Sequence, residues 1–242
     1  MNAEKQTKIA RFNFDEKLRW LLPHNKRGDG FDYAFNGPQS VKHLIESVGI
    51  PHTEIGETQA NGEIIGLDYL VHDGDQIEVR PVAPMYESAV EPRFILDGHL
   101  GRLASHLRML GMDSLYRNDY DDKELAQIAV DENRILLTRD RRLLMHKNIK
   151  LGYLLKSLNS EEQFREVLQR YGLKKWIKPF QRCIRCNHLL ESVQKEDVTA
   201  RLEPLTKLYF EEFRICPVCK QIYWKGSHFE RMQKMIAELK DL

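Results

Sequence analysis

The sequence predicts an α/β domain on a mainly parallel sheet, preceded by a smaller α+β domain and followed by a module built on paired cysteines. Three observations carry this. From Arg93 onward, short and uniformly apolar strands alternate with amphipathic helices, the pattern of a parallel sheet covered on both faces. Before Pro81 the order is strand, strand, helix and further strands. The four cysteines of the chain fall into two Cys-x-x-Cys pairs, Cys183/Cys186 and Cys216/Cys219.

Size and charge narrow the possibilities. At 242 residues the chain holds one large or two modest cores. Hydrophobic residues make up 42% and charged residues 30%, which excludes a disordered chain. The net charge of +1 means that any surface for a polyanion must come from local clustering. No apolar run approaches a bilayer-spanning length, and the opening MNAEKQTKIARF lacks the apolar stretch of a secretory signal. The expectation is a soluble cytoplasmic protein with no membrane partner.

Taken in order, Ile9–Phe14 and Phe31–Phe35 alternate apolar and polar residues, as half-buried strands do. A short helix lies between Gly37 and Pro51. Ser40 is its expected N-cap, Val41, Leu44, Ile45 and Val48 share a face, and Gly49 with Pro51 stops it. Turns come next at Asn61–Gly62 and Asp73–Gly74–Asp75, and a last strand covers Gln76–Val82. This is the element order of a β-grasp domain, assigned to residues 1–82. Pro81, Pro84 and Pro92 punctuate a polar link over residues 83–92.

Phe94–Leu96 opens the α/β domain, residues 93–178, as an apolar strand ending in Asp97. The next helix puts Leu100, Leu103, Leu107 and Leu110 inward, leaves Arg102, His106 and Arg108 largely outside, and closes at Gly111. Ser114–Arg117 is a second strand. A helix from Asp121–Asp122 carries Leu125, Ile128 and Ala129 inward. Ile135–Leu137 and Leu151–Leu155 are the third and fourth strands, and Ser160–Glu161–Glu162–Gln163 has the form of a capping box for a helix to about Tyr171.

In open parallel sheets, ligands bind beyond the carboxyl ends of the strands. Asp97 ends the first strand, Asp140 follows the third, and Asp121 and Asp122 open a helix reached from the second. Like charges held close are costly unless they share protons or a cation. A hard divalent ion, Mg²⁺ or Mn²⁺, with oxygen ligands resolves that crowding, and such a site activates water against a phosphodiester. Arg139, Arg141 and Arg142 are placed to attract or position phosphates. Each acid also has a structural reading: Asp121 as an N-cap with Glu124 at N3, Asp122 as a helix-terminal charge, Asp97 in a turn with Gly98, and Asp140 in an Asx turn. Spacing alone leaves both readings open.

The cysteine pairs occupy the last segment, residues 179–242. Two Cys-x-x-Cys turns in an intracellular chain read as one tetrahedral structural zinc site, because each turn presents two thiolates to one ion. Disulfides run against a reducing cytosol. The 29 residues between Cys186 and Cys216 exceed the usual spacing, so the intervening hairpin must be long or irregular. Arg182, Arg185, Lys220 and Lys225 surround the pairs, with Tyr223–Trp224 beside the second. Cations interleaved with aromatics suit single-stranded RNA; packing of Trp224 within the module is the other reading. His228 is open to an RNA contact or an active-site role.

Residues 93–230 resemble the PIN-like ribonuclease domain at the C-terminus of the Mut-seven exonucleases. The matching stretches are FILDGHLGRLASHLRMLGMDSLY, DDKELAQIA, RILLTRDRRLL, the paired Cys-x-x-Cys motifs and YWKGSHFERM. The N-terminal domain, through SVKHLIESVGIPHTEI and LVHDGDQIEVRPV, resembles sulfur-carrier-like ubiquitin folds and the ubiquitin-like domain often fused to that family. Those carriers end in an activated Gly-Gly. Here the chain continues through Pro81–Val82–Ala83–Pro84, which points to docking or recognition instead of carrier chemistry. The resemblance implies that Asp97, Asp122 and Asp140 bind Mg²⁺ or Mn²⁺, with Thr138 supporting Asp140 in a Thr-x-Asp pattern. Many PIN domains carry a fourth acid. LLKSLNSEEQ has no aspartate at the strand end, Glu161 is the weak substitute, and three acids suffice for one ion.

The functional expectation is a metal-dependent ribonuclease cutting single-stranded RNA internally, with Arg139 and Arg102 steering the backbone. Zinc serves folding and substrate handling, and the ubiquitin-like domain recruits a protein partner or selects substrate. The competing reading is a noncatalytic RNA-binding or adaptor protein, in which the acids are caps and turns.

Overall fold

Up to Tyr171 the elements follow the predicted order along the chain in this computed structural model, which describes residues 7–85, 89–226, 229, 230 and 237. The chain divides into two bodies: Met1–Pro84 with Asp122–Lys156, and Met85–Asp121 with Ser157–Leu242.

The N-terminal strand β1 (Lys8–Phe14) runs into the single turn α1 (Glu16–Arg19), capped by Asp15, which accepts from Lys17 N at 2.9 Å. β2 (Phe31–Phe35) pairs antiparallel with β1, and α2 (Val41–Ser47) comes next, with Ser40 Oγ accepting from His43 N at 3.2 Å. Its stripe of Val41, Leu44, Ile45 and Val48 is buried, as predicted. β3 (Ile55–Ala60) and β4 (Glu63–Ile65) form a hairpin on Asn61–Gly62. Both turn residues have positive φ, 55° and 87°, the backbone that a two-residue hairpin requires. β5 (Gln76–Pro81) lies parallel to β1, so the order β2-β1-β5-β3-β4 is a mixed, β-grasp-like sheet.

Beyond the link come β6 (Phe94–Leu96), α3 (Gly101–Met109), β7 (Ser114–Tyr116), α4 (Asp122–Asp131), β8 (Ile135–Thr138), α5 (Arg141–Leu144), β9 (Gly152–Leu154) and α6 (Ser160–Tyr171). β6 pairs in parallel with β7, and β8 in parallel with β9, each without a wet face on β6, β8 or β9. The α4–β9 stretch belongs to the body of the β-grasp sheet. Leu154 N donates to Glu54 Oε1 at 2.7 Å, and Glu54 is only 7% exposed. His52 spans Glu46 Oε1 and the Ile149 carbonyl, both at 2.6 Å. Arg141 Nη1 donates to the Leu21 carbonyl at 2.7 Å, with its guanidinium over Trp20.

In the other body, α3 packs against α6, with Leu103, Leu107 and Phe164 buried and the His106 ring edge-on to Phe164. Gly111 ends the α3 turn at φ 92°. A Cβ there would collide with the Lys178 carbonyl, so only glycine fits. Three expectations are corrected. His106, expected largely outside α3, is half-buried, its ring against the buried Phe164. Arg108 is not outside α3 but 3% exposed, because its guanidinium reaches an inward cluster of carbonyls. The cap of α6 is Asn159, not Ser160: Asn159 Oδ1 accepts from Glu161 N and Glu162 N.

The C-terminal segment holds β10 (Glu191–Val193), α7 (Lys195–Val198), α8 (Pro204–Tyr209), β11 (Phe213–Ile215) and β12 (Ile222–Trp224), with the strands antiparallel in the order β10-β11-β12. The long spacer between the cysteine pairs is thus a helical insertion around a small core of Val198, Leu202, Phe213 and Ile222. Among the described residues, no helix is long and apolar enough to cross a membrane.

Candidate metal centre and strand-end acids

Two similar turns build the cysteine cluster. In the first, Asn187 N donates to the Cys183 carbonyl at 2.9 Å and Cys183 N to the His188 carbonyl at 2.8 Å. In the second, Lys220 N donates to the Cys216 carbonyl at 3.0 Å and Cys216 N to the Gln221 carbonyl at 2.9 Å. Asn187 and Lys220, each following the second cysteine of its pair, both take positive φ, 71° and 60°. The turns bring Cys183 Sγ to 3.4 Å from Cys219 Sγ, and Cys186 Sγ to 3.4 Å from Cys216 Sγ. All four sulfurs lie within 4.8 Å of one another. Tetrahedral zinc at about 2.3 Å from each sulfur requires S···S separations of about 3.8 Å, so the cluster has the right size and soft-donor chemistry.

Electrostatics also favour a cation. Burial and then the neighbouring sulfurs push the Cys186 thiol up to about 12. Burial acts the same way on Cys216, but the backbone N–H groups of Cys219 and Val218 overcome it and bring that thiol down to about 6. Four thiolates in this space need positive charge. Tyr223 supplies a neutral donor: its hydroxyl lies 3.1 Å from Cys183 Sγ and accepts from Ile184 N at 3.1 Å. Burial, followed by Cys183, raises the Tyr223 phenol.

A buried cation stands behind the first turn. Arg108 Nε donates to the Ser114 carbonyl at 2.8 Å, and Nη1 donates to the Ile184 and Arg185 carbonyls at 3.1 and 3.0 Å. Burial opposes its charge, while Cys186, Cys183, Asp113 and Tyr116 favour it. Sequence reasoning missed this residue; its two acceptors in the cysteine turn, the Ile184 and Arg185 carbonyls, lie more than seventy positions away and leave no periodic signal.

The aromatic and cationic neighbours are engaged locally. Trp224 is half-buried against the spacer core, with ring centroids 6.4 Å from Phe210 and 6.5 Å from Phe213. Lys225 pairs with Glu212 at 2.6 Å. His228 lies outside the described residues.

Among the acids, Asp97 directly follows β6, partly exposed, with its carbonyl accepting from Leu100 N at 2.9 Å. Arg102 is exposed on α3, and Asp121 is exposed just ahead of α4. Asp122 is the exposed first residue of α4. Asp140 follows β8 and caps α5, its Oδ1 accepting from Arg142 N at 2.7 Å. Its own N–H donates to Thr138 Oγ1 at 2.9 Å, so the fully buried Thr138 fixes the turn that presents it. Arg139 and Arg142 are exposed, whereas Arg141 is spent on Leu21 and Trp20. Asp97, Arg102 and Asp121 belong to the second body; Asp122, Thr138, Arg139 and Asp140 belong to the first.

The family model described as Mut7-C RNAse domain matches residues 92–236, and that described as Mut7-C ubiquitin matches residues 7–87. No curated protein matches the chain. A solved structure described as a putative molybdopterin converting factor, subunit 1, from Pyrococcus furiosus is similar at 18% identity. It covers 31% of this chain and 97% of its own, with a TM-score of 0.25, too low to carry an argument about the fold.

Proposed function

The chain belongs to the Mut7-C RNAse domain family, with the family's ubiquitin-like domain ahead of it, and from that premise we propose a metal-dependent ribonuclease of PIN-like fold acting on single-stranded RNA. Family membership across residues 92–236 is the observation that carries the reading. The domain division proposed is a β-grasp domain over 1–82, a link over 83–92, the nuclease domain over 93–178 and the zinc ribbon over 179–242.

Asp97, Asp122 and Asp140 offer the hard oxygen donors that Mg²⁺ or Mn²⁺ takes, and they would hold it. When bound, such an ion supplies an activated water and a counter-charge to the phosphodiester. Thr138 holds the Asp140 backbone, which keeps the carboxylate at the end of β8. Exposed Arg102 and Arg139 would draw in the phosphate backbone without burying a charge. The four cysteines would hold one structural zinc ion. Trp224, Lys225 and His228 are weaker RNA candidates, the first two because of their local partners.

The test is cleavage of end-labelled single-stranded RNA by the full chain with Mn²⁺ or Mg²⁺, beside a chelator control and Asp97→Asn. Metal-dependent internal cleavage lost in the folded variant supports the enzyme. RNA binding with no cleavage under either metal sinks it and leaves an adaptor.

A further inference from the structure

Arg108 is an expensive residue to bury. A charge removed from water is costly unless it is compensated. Yet the guanidinium, on a helix whose neighbours Leu103, Ala104 and Leu107 are all buried, spends its N–H donors on backbone carbonyls. Ile184 and Arg185 are the two residues inside the Cys183–Cys186 turn, and Ser114 begins β7. Nη2 points to the Tyr116 carbonyl, at 3.5 Å.

The same turn is gripped from the other side. Asn187, itself buried, accepts from Ser114 N at 3.0 Å and donates to Asp113 Oδ1 at 2.8 Å. Arg182 donates to the Gly111 carbonyl at 3.1 Å and meets Asp113 at 3.4 Å. Arg108 and residues 111–116 thus hold the cysteine turn at several points, and Arg108 carries a buried positive charge. Zinc with four thiolates has a net charge of two minus, which ordinary carbonyl contacts do not offset. Outer-shell partners of this kind orient ligands and tune metal affinity.

We propose that Arg108 is a positioning residue for the cysteine centre: it offsets the surplus negative charge of the tetrathiolate and locks the Cys183–Cys186 turn to α3 and β7. Metal loading is then felt in the α/β domain through Ser114–Tyr116. This inference rests on the reading of the four cysteines as a zinc site.

The experiment uses the full chain, as wild type, Arg108→Lys and Arg108→Met. Metal analysis of the wild type comes first; a zinc-free protein that also fails to take up added zinc overturns the zinc reading and the inference with it. Zinc affinity is then measured by competition with a chromophoric chelator. Arg108→Met should bind about 10–100-fold more weakly, with Arg108→Lys recovering part of the loss. In cobalt-substituted protein, the sulfur-to-metal charge-transfer band should move to longer wavelength in Arg108→Met, because the thiolate electrons lose a stabilising charge. A wild type that binds one zinc beside an Arg108→Met variant with affinity within about twofold overturns the inference alone. Should Arg108→Met not fold, Arg108→Lys decides: it keeps a positive charge but loses the fork that holds both turn carbonyls, so zinc should bind more weakly than in wild type, and an affinity within about twofold of wild type overturns the inference.

Discussion

Exchanging Asp140 for asparagine and for alanine separates two jobs that one side chain can hold. As the cap of α5, Asp140 accepts from Arg142 N at 2.7 Å while Thr138 takes its N–H. Asparagine keeps an acceptor oxygen and ranks with aspartate as a cap. Alanine removes it, at a cost of about 1 kcal/mol, or about 2–4 °C in Tm for a chain of this length. The proposed metal-binding job needs the negative charge, which both replacements lack. A ligand contributing about 3–4 kcal/mol of transition-state stabilisation corresponds to a rate loss on the order of 10²–10³. Thermal unfolding by circular dichroism and initial rates on labelled RNA in Mn²⁺ read the two effects independently. Asp140→Asn should melt within about 1 °C of wild type and lose cleavage; Asp140→Ala should lose both. An asparagine variant that cleaves within about threefold of wild type reduces Asp140 to a cap and removes it from the metal site.

The geometry sets three further outcomes. Glu54→Ala strands the buried Leu154 N–H and should destabilise the protein by about 1–3 kcal/mol in urea unfolding, whereas an unchanged midpoint would show that water replaces the carboxylate. Zinc competes with protons. Cys186, pushed up to about 12, must lose a proton to zinc at any pH in this range, so uptake by metal-free protein should weaken as pH falls from about 7.5 and fall more steeply below about 6, where Cys216 regains its proton as well; a flat chelator-competition profile between about pH 7.5 and 5.5 contradicts this. Burial works against the Asp75 carboxylate, but hydrogen bonds from His72 N, Asn61 and Tyr69 outweigh it and hold the carboxyl below 3.8. Its stabilisation is therefore complete above 3.8 and decays as pH falls below it; the stability gap between wild type and Asp75→Asn should close in acid, and a pH-independent gap rules this out.

Periodicity and punctuation made much of the scaffold legible. The Val41–Leu44–Ile45–Val48 stripe, the Asn61–Gly62 hairpin and the apolar β6 and β8 each depend on local chemistry, and each is found where the residues place it. The cysteine cluster was legible because two tight turns leave few other uses for four thiols. What escaped depends on partners remote in the chain. Arg108 reads as a surface cation until the Ile184 and Arg185 carbonyls arrive beside it, and the rings that engage Trp224 lie in a helical spacer with no strong pattern of its own. Asn159 displaced Ser160 as a cap because two adjacent cap-competent residues cannot be ranked without the backbone. The Asx geometry of Asp140 was foreseeable; that one side chain can cap a helix and still face a cation with its second oxygen is why spacing alone left its role open.

The contacts of Glu54, His52 and Arg141 change what the proline-marked link means for the folded molecule. Residues on both sides of it share one interior, since the segment from 122 to 156 packs with the N-terminal sheet. A protease nick after Pro84 would therefore sever the backbone without setting the first 84 residues free. Expressed alone, that fragment would present Glu54 and the face beneath Trp20 to water, and it would be expected to reassociate with the remainder of the chain when the two are mixed.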